Sequence, residues 1–118
     1  MKKVFLISVC MFFISVTSVF AIRNLATTTT YNSNTLIKTG PGFIYSVSFV
    51  ATSNGGDFIL LDAISDTTDT GAFTDVKAEG SEATADDGDF QDYTKKPLRF
   101  RTGLYLKIND GYAIVTYE

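Results

Sequence analysis

From about residue 25 onward, apolar and polar residues alternate with a period of two, and the interruptions are turn chemistry. Successive side chains on a strand point to opposite faces, so this spacing predicts an all-β domain. The clearest stretch runs over residues 42–52. There Phe43, Tyr45, Val47, Phe49 and Ala51 share one face, and Ile44, Ser46, Ser48 and Val50 the other. Ser53-Asn54-Gly55-Gly56 follows, and Asn and Gly tolerate the positive φ of a tight reversal. The expectation is a hairpin with a return strand over 58–64, Phe49 lying opposite Leu60 and Val50 opposite Ile59. A second hairpin is expected from residues 104–108, the Asn109-Asp110-Gly111 turn and residues 112–117. It places Leu106 opposite Val115 and Leu104 opposite Tyr117. Leu104, Leu106, Ile108, Ala113, Val115 and Tyr117 then form a core face, with Tyr105, Lys107, Ile114 and Thr116 on the other side.

Shorter strands are expected at 25–31, 36–38, 73–78 and 98–101, about eight in all. Segments 66–71 and 80–91 read as polar connections, and no stretch has a helical period. One sheet of such strands would leave an apolar face in water. Two packed antiparallel sheets bury it, so the predicted fold is a single β-sandwich, jelly-roll-like in connectivity.

The first 21 residues follow a different pattern. Met1-Lys2-Lys3 is basic, residues 4–20 are almost wholly apolar, and Ser18-Val19-Phe20-Ala21 offers small residues where a signal peptidase reads. The expectation is a signal peptide over 1–21, cleaved after Ala21, and an exported sandwich domain over 22–118. That places the domain in the periplasm, at the cell surface or outside the cell. Left uncleaved, residues 4–22 are just long enough to anchor the domain to a membrane. Cys10 sits inside the apolar run without the small residues that a lipoprotein site needs before it. Beyond Ala21 there is no cysteine, so the domain relies on its core rather than on disulfides.

Removing Lys2 and Lys3 leaves eight bases against thirteen acids, a formal charge of −5. That balance disfavours nucleic acid or an anionic membrane as the main partner. The charge is also segregated along the chain. Residues 57–92 hold eleven acids and one base, Lys77, whereas residues 95–107 hold five bases and no acid. Such runs protect strand edges, and they also suit an electropositive strand on one copy meeting an acidic loop on another. Lys95, Lys96, Arg99 and Arg101 are the partner-binding residues expected from this pattern.

No histidine occurs anywhere in the chain, which removes Ser-His-Asp and Cys-His catalysis and the ordinary zinc sites. A Ser81–Lys77 pair or a pair of carboxylates is available on paper, but nothing in the spacing singles one out. The expectation is a protein that is not an enzyme and needs no cofactor. Asp86, Asp87, Asp89 and Asp92 supply hard oxygen ligands of the type calcium prefers, without the EF-hand spacing. Among the six tyrosines, Tyr93, Tyr105 and Tyr112 fall in or beside loops, where an aromatic face stacks on a sugar ring. Tyr93 and Tyr112 complete the predicted contact residues.

Several segments, taken in order, resemble small all-β proteins encoded by tailed phages and prophages. They are Gly40-Pro41-Gly42 with its hydrophobic strand, Leu60-Leu61-Asp62, Asp69-Thr70-Gly71, Phe100-Arg101-Thr102-Gly103-Leu104 and the closing Val115-Thr116-Tyr117-Glu118. The resemblance spans residues 35–118. It implies a β-sandwich virion component, a head-decoration or fibre-associated module that self-associates or coats a lattice. The apolar leader sets this chain apart from that group. The alternative expectation is a secreted or surface binding module for a glycan or a protein partner.

Overall fold

The computed structural model describes residues 26–68 and 75–118. The predicted leader and the Asp69-Thr70-Gly71 turn lie outside the described residues. Among the described residues there are nine strands: β1 Thr27–Tyr31, β2 Thr35–Thr39, β3 Gly42–Ala51, β4 Gly56–Leu61, β5 Val76–Glu82, β6 Gly88–Asp92, β7 Leu98–Phe100, β8 Gly103–Asn109 and β9 Gly111–Tyr117. They form two antiparallel sheets. One has the order β1-β9-β3-β6, with the short β7 also on β3; the other has the order β2-β8-β4-β5. This is the predicted all-β sandwich.

Both predicted hairpins are corrected. β3 pairs with β9, β6 and β7, and β4 pairs with β8 and β5, so neither β3–β4 nor β8–β9 is a ladder. The Asn54-Gly55 and Asp110 turns instead carry the chain from one sheet to the other. Phe49 of β3 and Phe58 of β4 meet across the core with ring centroids 5.3 Å apart. A hairpin would have set such residues side by side on one sheet, where they could not fill the space between two. The turn chemistry itself holds: Gly55 has φ +80° and Asp110 φ +48°.

Four such arches (β1–β2, β8–β9, β3–β4 and β5–β6) lie side by side at one end of the sandwich. They are hydrogen-bonded in series. Thr52 N–H donates to Asp110 C=O at 2.8 Å, Asp86 N–H to Ala51 C=O at 2.8 Å, and Gly55 N–H to Glu82 C=O at 3.1 Å. Asn34 Oδ1 accepts from Ile108 N–H at 2.8 Å, and Asn54 Oδ1 from Ala85 N–H at 2.9 Å. Buried backbone polar groups need partners, and the arches supply them for one another.

The core contains Ile44, Val47, Phe49 and Ala51 from β3, Phe58 and Leu60 from β4, Ala78 from β5 and Phe100 from β7. Leu104, Leu106 and Ile108 of β8 and Ala113 and Val115 of β9 complete it as predicted, while Tyr117 packs half-buried against its rim. Within β3 the alternation breaks once. The register shifts between Ile44 and Ser46, which turns Ile44 inward and leaves Phe43 38% exposed. A bulge of this kind flips every residue on its far side to the other face. β6 was missed, because a Gly-Asp-Phe-Gln-Asp sequence has poor strand propensity. Its register against β3, from Ser46–Asp92 to Val50–Gly88, holds it as an edge strand.

Candidate functional site

The arches bring carboxylates from distant parts of the sequence to one end of the molecule. Asp57 is the second residue of β4, Glu82 ends β5, Asp86 and Asp87 lie in the β5–β6 arch, and Asp110 is the β8–β9 turn. No lysine or arginine of the described residues lies in these turns. Asp57, Asp86, Asp87 and Asp110 are exposed and Glu82 half-buried, while backbone groups and the Asn34 and Asn54 side chains hold the arches.

The opposite end is held by a carboxylate instead. Asp62, just past β4, accepts N–H bonds from Arg101 at 2.9 Å and Thr102 at 2.7 Å, with Gly103 N–H at 3.5 Å. These are the amides of the β7–β8 corner. Lys77 Nζ stands 3.7 Å from the same carboxylate. Partial burial alone would raise the Asp62 pKa. The three amide donors and Lys77 outweigh it, and the net shift is downward. Nearby, Asp66 accepts from the N–H and hydroxyl of Thr68, at 3.0 and 2.6 Å, and pairs with Lys107 at 3.1 Å. Those contacts lower its pKa as well, the Thr68 hydroxyl contributing most.

Once these acids are paired, the bases at this end remain free. Lys95 and Lys96 lie in the turn between β6 and β7, Arg99 on β7 and Arg101 at the following corner, all exposed. Among the described residues none of the four makes a salt bridge. Pairing of β7 with residues 42–44 places Arg99 beside Phe43, far along β3 from the arches. The predicted basic cluster is therefore brought together at one edge, at the end remote from the arch carboxylates, where Arg99 shares a depression with Glu118 and the Lys95 charge acts on Asp92.

The other predicted contact residues divide. Tyr93 is not a loop platform: it packs half-buried against the core, and its hydroxyl donates to Gln91 Oε1 at 2.7 Å. Gln91 Nε2 in turn donates to Asp89 Oδ2 at 2.7 Å and to Glu79 C=O at 2.8 Å. Burial, helped by the Asp89 charge, raises the Tyr93 pKa. Tyr105 lies half-buried on β8. The four proposed calcium ligands do not converge, and among the described residues no three acidic groups come together as a metal site. Asp86 and Asp87 lie in the arch, Asp89 is engaged with Gln91, and Asp92 accepts from Thr94 N–H and hydroxyl at 2.9 and 2.7 Å. Asp89 and Asp92 stand three residues apart on one strand and so face opposite ways.

Tyr112 does line a depression, of about 730 Å³, together with Thr30, Asn32, Thr52, Asp110 and Gly111. It opens at the arch end on the β1–β9 side. The composition of this bowl was not legible in sequence, because its residues lie in three arches between residues 30 and 112. Its neighbour on the outer face of the β1-β9-β3-β6 sheet is uncharged across two rows, Thr30–Ile114–Ser48–Phe90 and Tyr112–Val50–Gly88. Phe90, on the missed strand, is 65% exposed there. Comparison with protein families, with curated proteins and with solved structures finds no match to this chain.

Proposed function

We propose that the protein is a non-enzymatic, exported structural module that assembles copy to copy through ends of opposite charge. The observation that carries this reading is the placement of unpaired charge. Asp57, Glu82, Asp86, Asp87 and Asp110 lie at the arch end, while Lys95, Lys96, Arg99 and Arg101 lie towards the other. Complementary patches at opposite ends of one chain join head to tail, and such contacts build rings or filaments rather than two-fold dimers. The reading includes jelly-roll connectivity. It is supported by four arches in the same lateral order in both sheets, β1/β2, β9/β8, β3/β4 and β6/β5. It also includes the virion-surface role implied by the phage-type motifs, and delivery across a membrane by residues 1–21.

Light scattering on the full chain tests this. The expected result is a particle several times the monomer mass at low salt that falls towards monomer near 1 M, where the screening length shrinks to about 3 Å. Arg99→Glu with Arg101→Glu should abolish the assembly at low salt. A salt-insensitive monomer overturns the reading.

A second reading, a binding module for a glycan or a protein partner, is favoured by the Tyr112 bowl.

A further inference from the structure

We infer that the bowl beneath Tyr112 is a binding site for a neutral pyranose sugar. This gives the second reading its ligand class and does not depend on assembly.

The fold has used only some of the polar side chains at the arch end. Of the asparagines in the β1–β2 and β3–β4 arches, Asn34 and Asn54 are engaged with the backbone amides of Ile108 and Ala85. Asn32 is not. Among the described residues, the side chains of Thr30, Asn32, Thr52 and Asp110 all lack a hydrogen-bond partner, and all four line the same depression. They offer two hydroxyls, an amide with donor and acceptor, and a carboxylate that only accepts. The Tyr112 ring supplies an apolar face, and its phenol a further polar tip. At about 730 Å³ the bowl falls within the roughly 300–1,000 Å³ of small-ligand sites.

A pyranose fits this set. It presents alternating donor and acceptor hydroxyls around its edge and C–H groups on its face. An apolar ligand would strand the four polar side chains, at about 1–3 kcal/mol for each group left unsatisfied. An anionic ligand would meet Asp110 inside the bowl, and Glu82, Asp86 and Asp87 at the same end. The sugar is therefore neutral rather than a uronic or sialic acid. Those three outer carboxylates lie on the β5–β6 side, beyond the β3–β4 pair, so of the arch-end acids only Asp110 belongs to both the bowl and the charged surface.

The test is an NMR titration of the isotope-labelled full chain with glucose, galactose, mannose and N-acetylglucosamine, with glucuronate as the charged comparison. Millimolar binding by at least one neutral sugar is expected, with amide shifts confined to residues 30–32, 52 and 110–112. Tyr112→Ala should weaken it about tenfold or more, as expected for loss of an aromatic stacking face. Asn32→Ala, at an exposed position with no partner to lose, should weaken it without altering the fold. Asp110→Asn should raise glucuronate affinity relative to the neutral sugar. The inference is overturned if no neutral sugar moves these amides up to about 20 mM, a concentration that reaches well into the millimolar class. Unchanged affinity in both Tyr112→Ala and Asn32→Ala overturns it too, as does glucuronate binding as tightly as the neutral sugars. A blank titration in protein that still assembles at low salt removes the sugar site alone. Sugar binding by a salt-insensitive monomer removes the assembly reading alone.

Discussion

The two ends of the sandwich face the same physical task and meet it with different groups. At each, the chain must cross between sheets without stranding backbone amides. The arch end does this with main-chain bonds between neighbouring arches and with two asparagine side chains. Its acids are left over. The other end places a carboxylate, Asp62, inside the turn of amides at 101–103 and sets Lys77 against it. Asp66, further along the β4–β5 connection, is consumed by Thr68 and by Lys107 of β8. Among the described residues, Lys95, Lys96, Arg99 and Arg101 are left without a salt bridge. The polarity of the molecule thus follows from which charge each end spends on holding itself together. Net charge alone would have suggested a uniformly acidic surface.

The largest loss of stability is expected at the crowded arch crossing. A Cβ on Gly111 would sit 2.4 Å and 2.6 Å from the Phe49 ring and 2.7 Å from Val50 C=O. Gly111→Ala should cost about 3 kcal/mol in urea denaturation, the upper range for overpacking. Gly55 has open space around it but a φ of +80°, so Gly55→Ala should cost only ~1 kcal/mol, from backbone strain. Equal losses at the two sites would mean that the arches are not packed as described.

At the other end, Asp62→Asn should cost about 2 kcal/mol at pH 7, because a charge-assisted acceptor is weakened while three amides remain around it. The pH dependence has a definite sign. Asp62 has a folded pKa below its unfolded value near 3.9, so its contribution is complete above roughly pH 5. It is lost as pH falls through the lower, folded pKa. The stability difference between wild type and Asp62→Asn should therefore shrink in acid unfolding below about pH 4, as the wild-type carboxyl also loses its charge. A constant difference from pH 7 to pH 2 would remove the carboxylate from this role.

Asparagine pairs give a finer test. Asn34→Ala should cost about 1 kcal/mol, an average hydrogen bond, whereas Asn32→Ala should stay within about 0.5 kcal/mol. The smallest effect is expected where charge is free. Arg99→Glu and Arg101→Glu should change thermal stability by less than about 0.5 kcal/mol, since no ion pair is broken, while altering association. A large loss of stability there would show that the basic edge is spent on the fold.

Much of the sandwich was legible in the chain. The core faces of β8 and β9 follow from strict alternation, and the turns at Gly55 and Asp110 from residues that accept positive φ. What alternation cannot tell is whether two strands joined by a turn pair edge to edge or face each other across a core. Both arrangements bury Phe49 and Leu60, and the difference depends on β9 and β8 arriving from the far end of the sequence. The bulge at Tyr45 was hidden for a similar reason, since it is expressed only against the β9 register. Tyr93 read as a loop aromatic because the edge strand before it is rich in Asp. Its burial depends on Gln91 and Asp89 pointing into the gap between the sheets.

By itself, then, the sequence determined the strand class, the turn positions, most of the core and the separation of acid from base along the chain. These are local properties, carried by side-chain period, φ tolerance and composition. Three features are set by the fold in three dimensions: consecutive strands belong to different sheets, the arch acids and the bases around β7 lie towards opposite ends, and Thr30, Asn32, Thr52, Asp110 and Tyr112 share one bowl. Those depend on long-range pairing, which brings together residues as far apart as Thr27 and Tyr117 and leaves no period behind in the sequence.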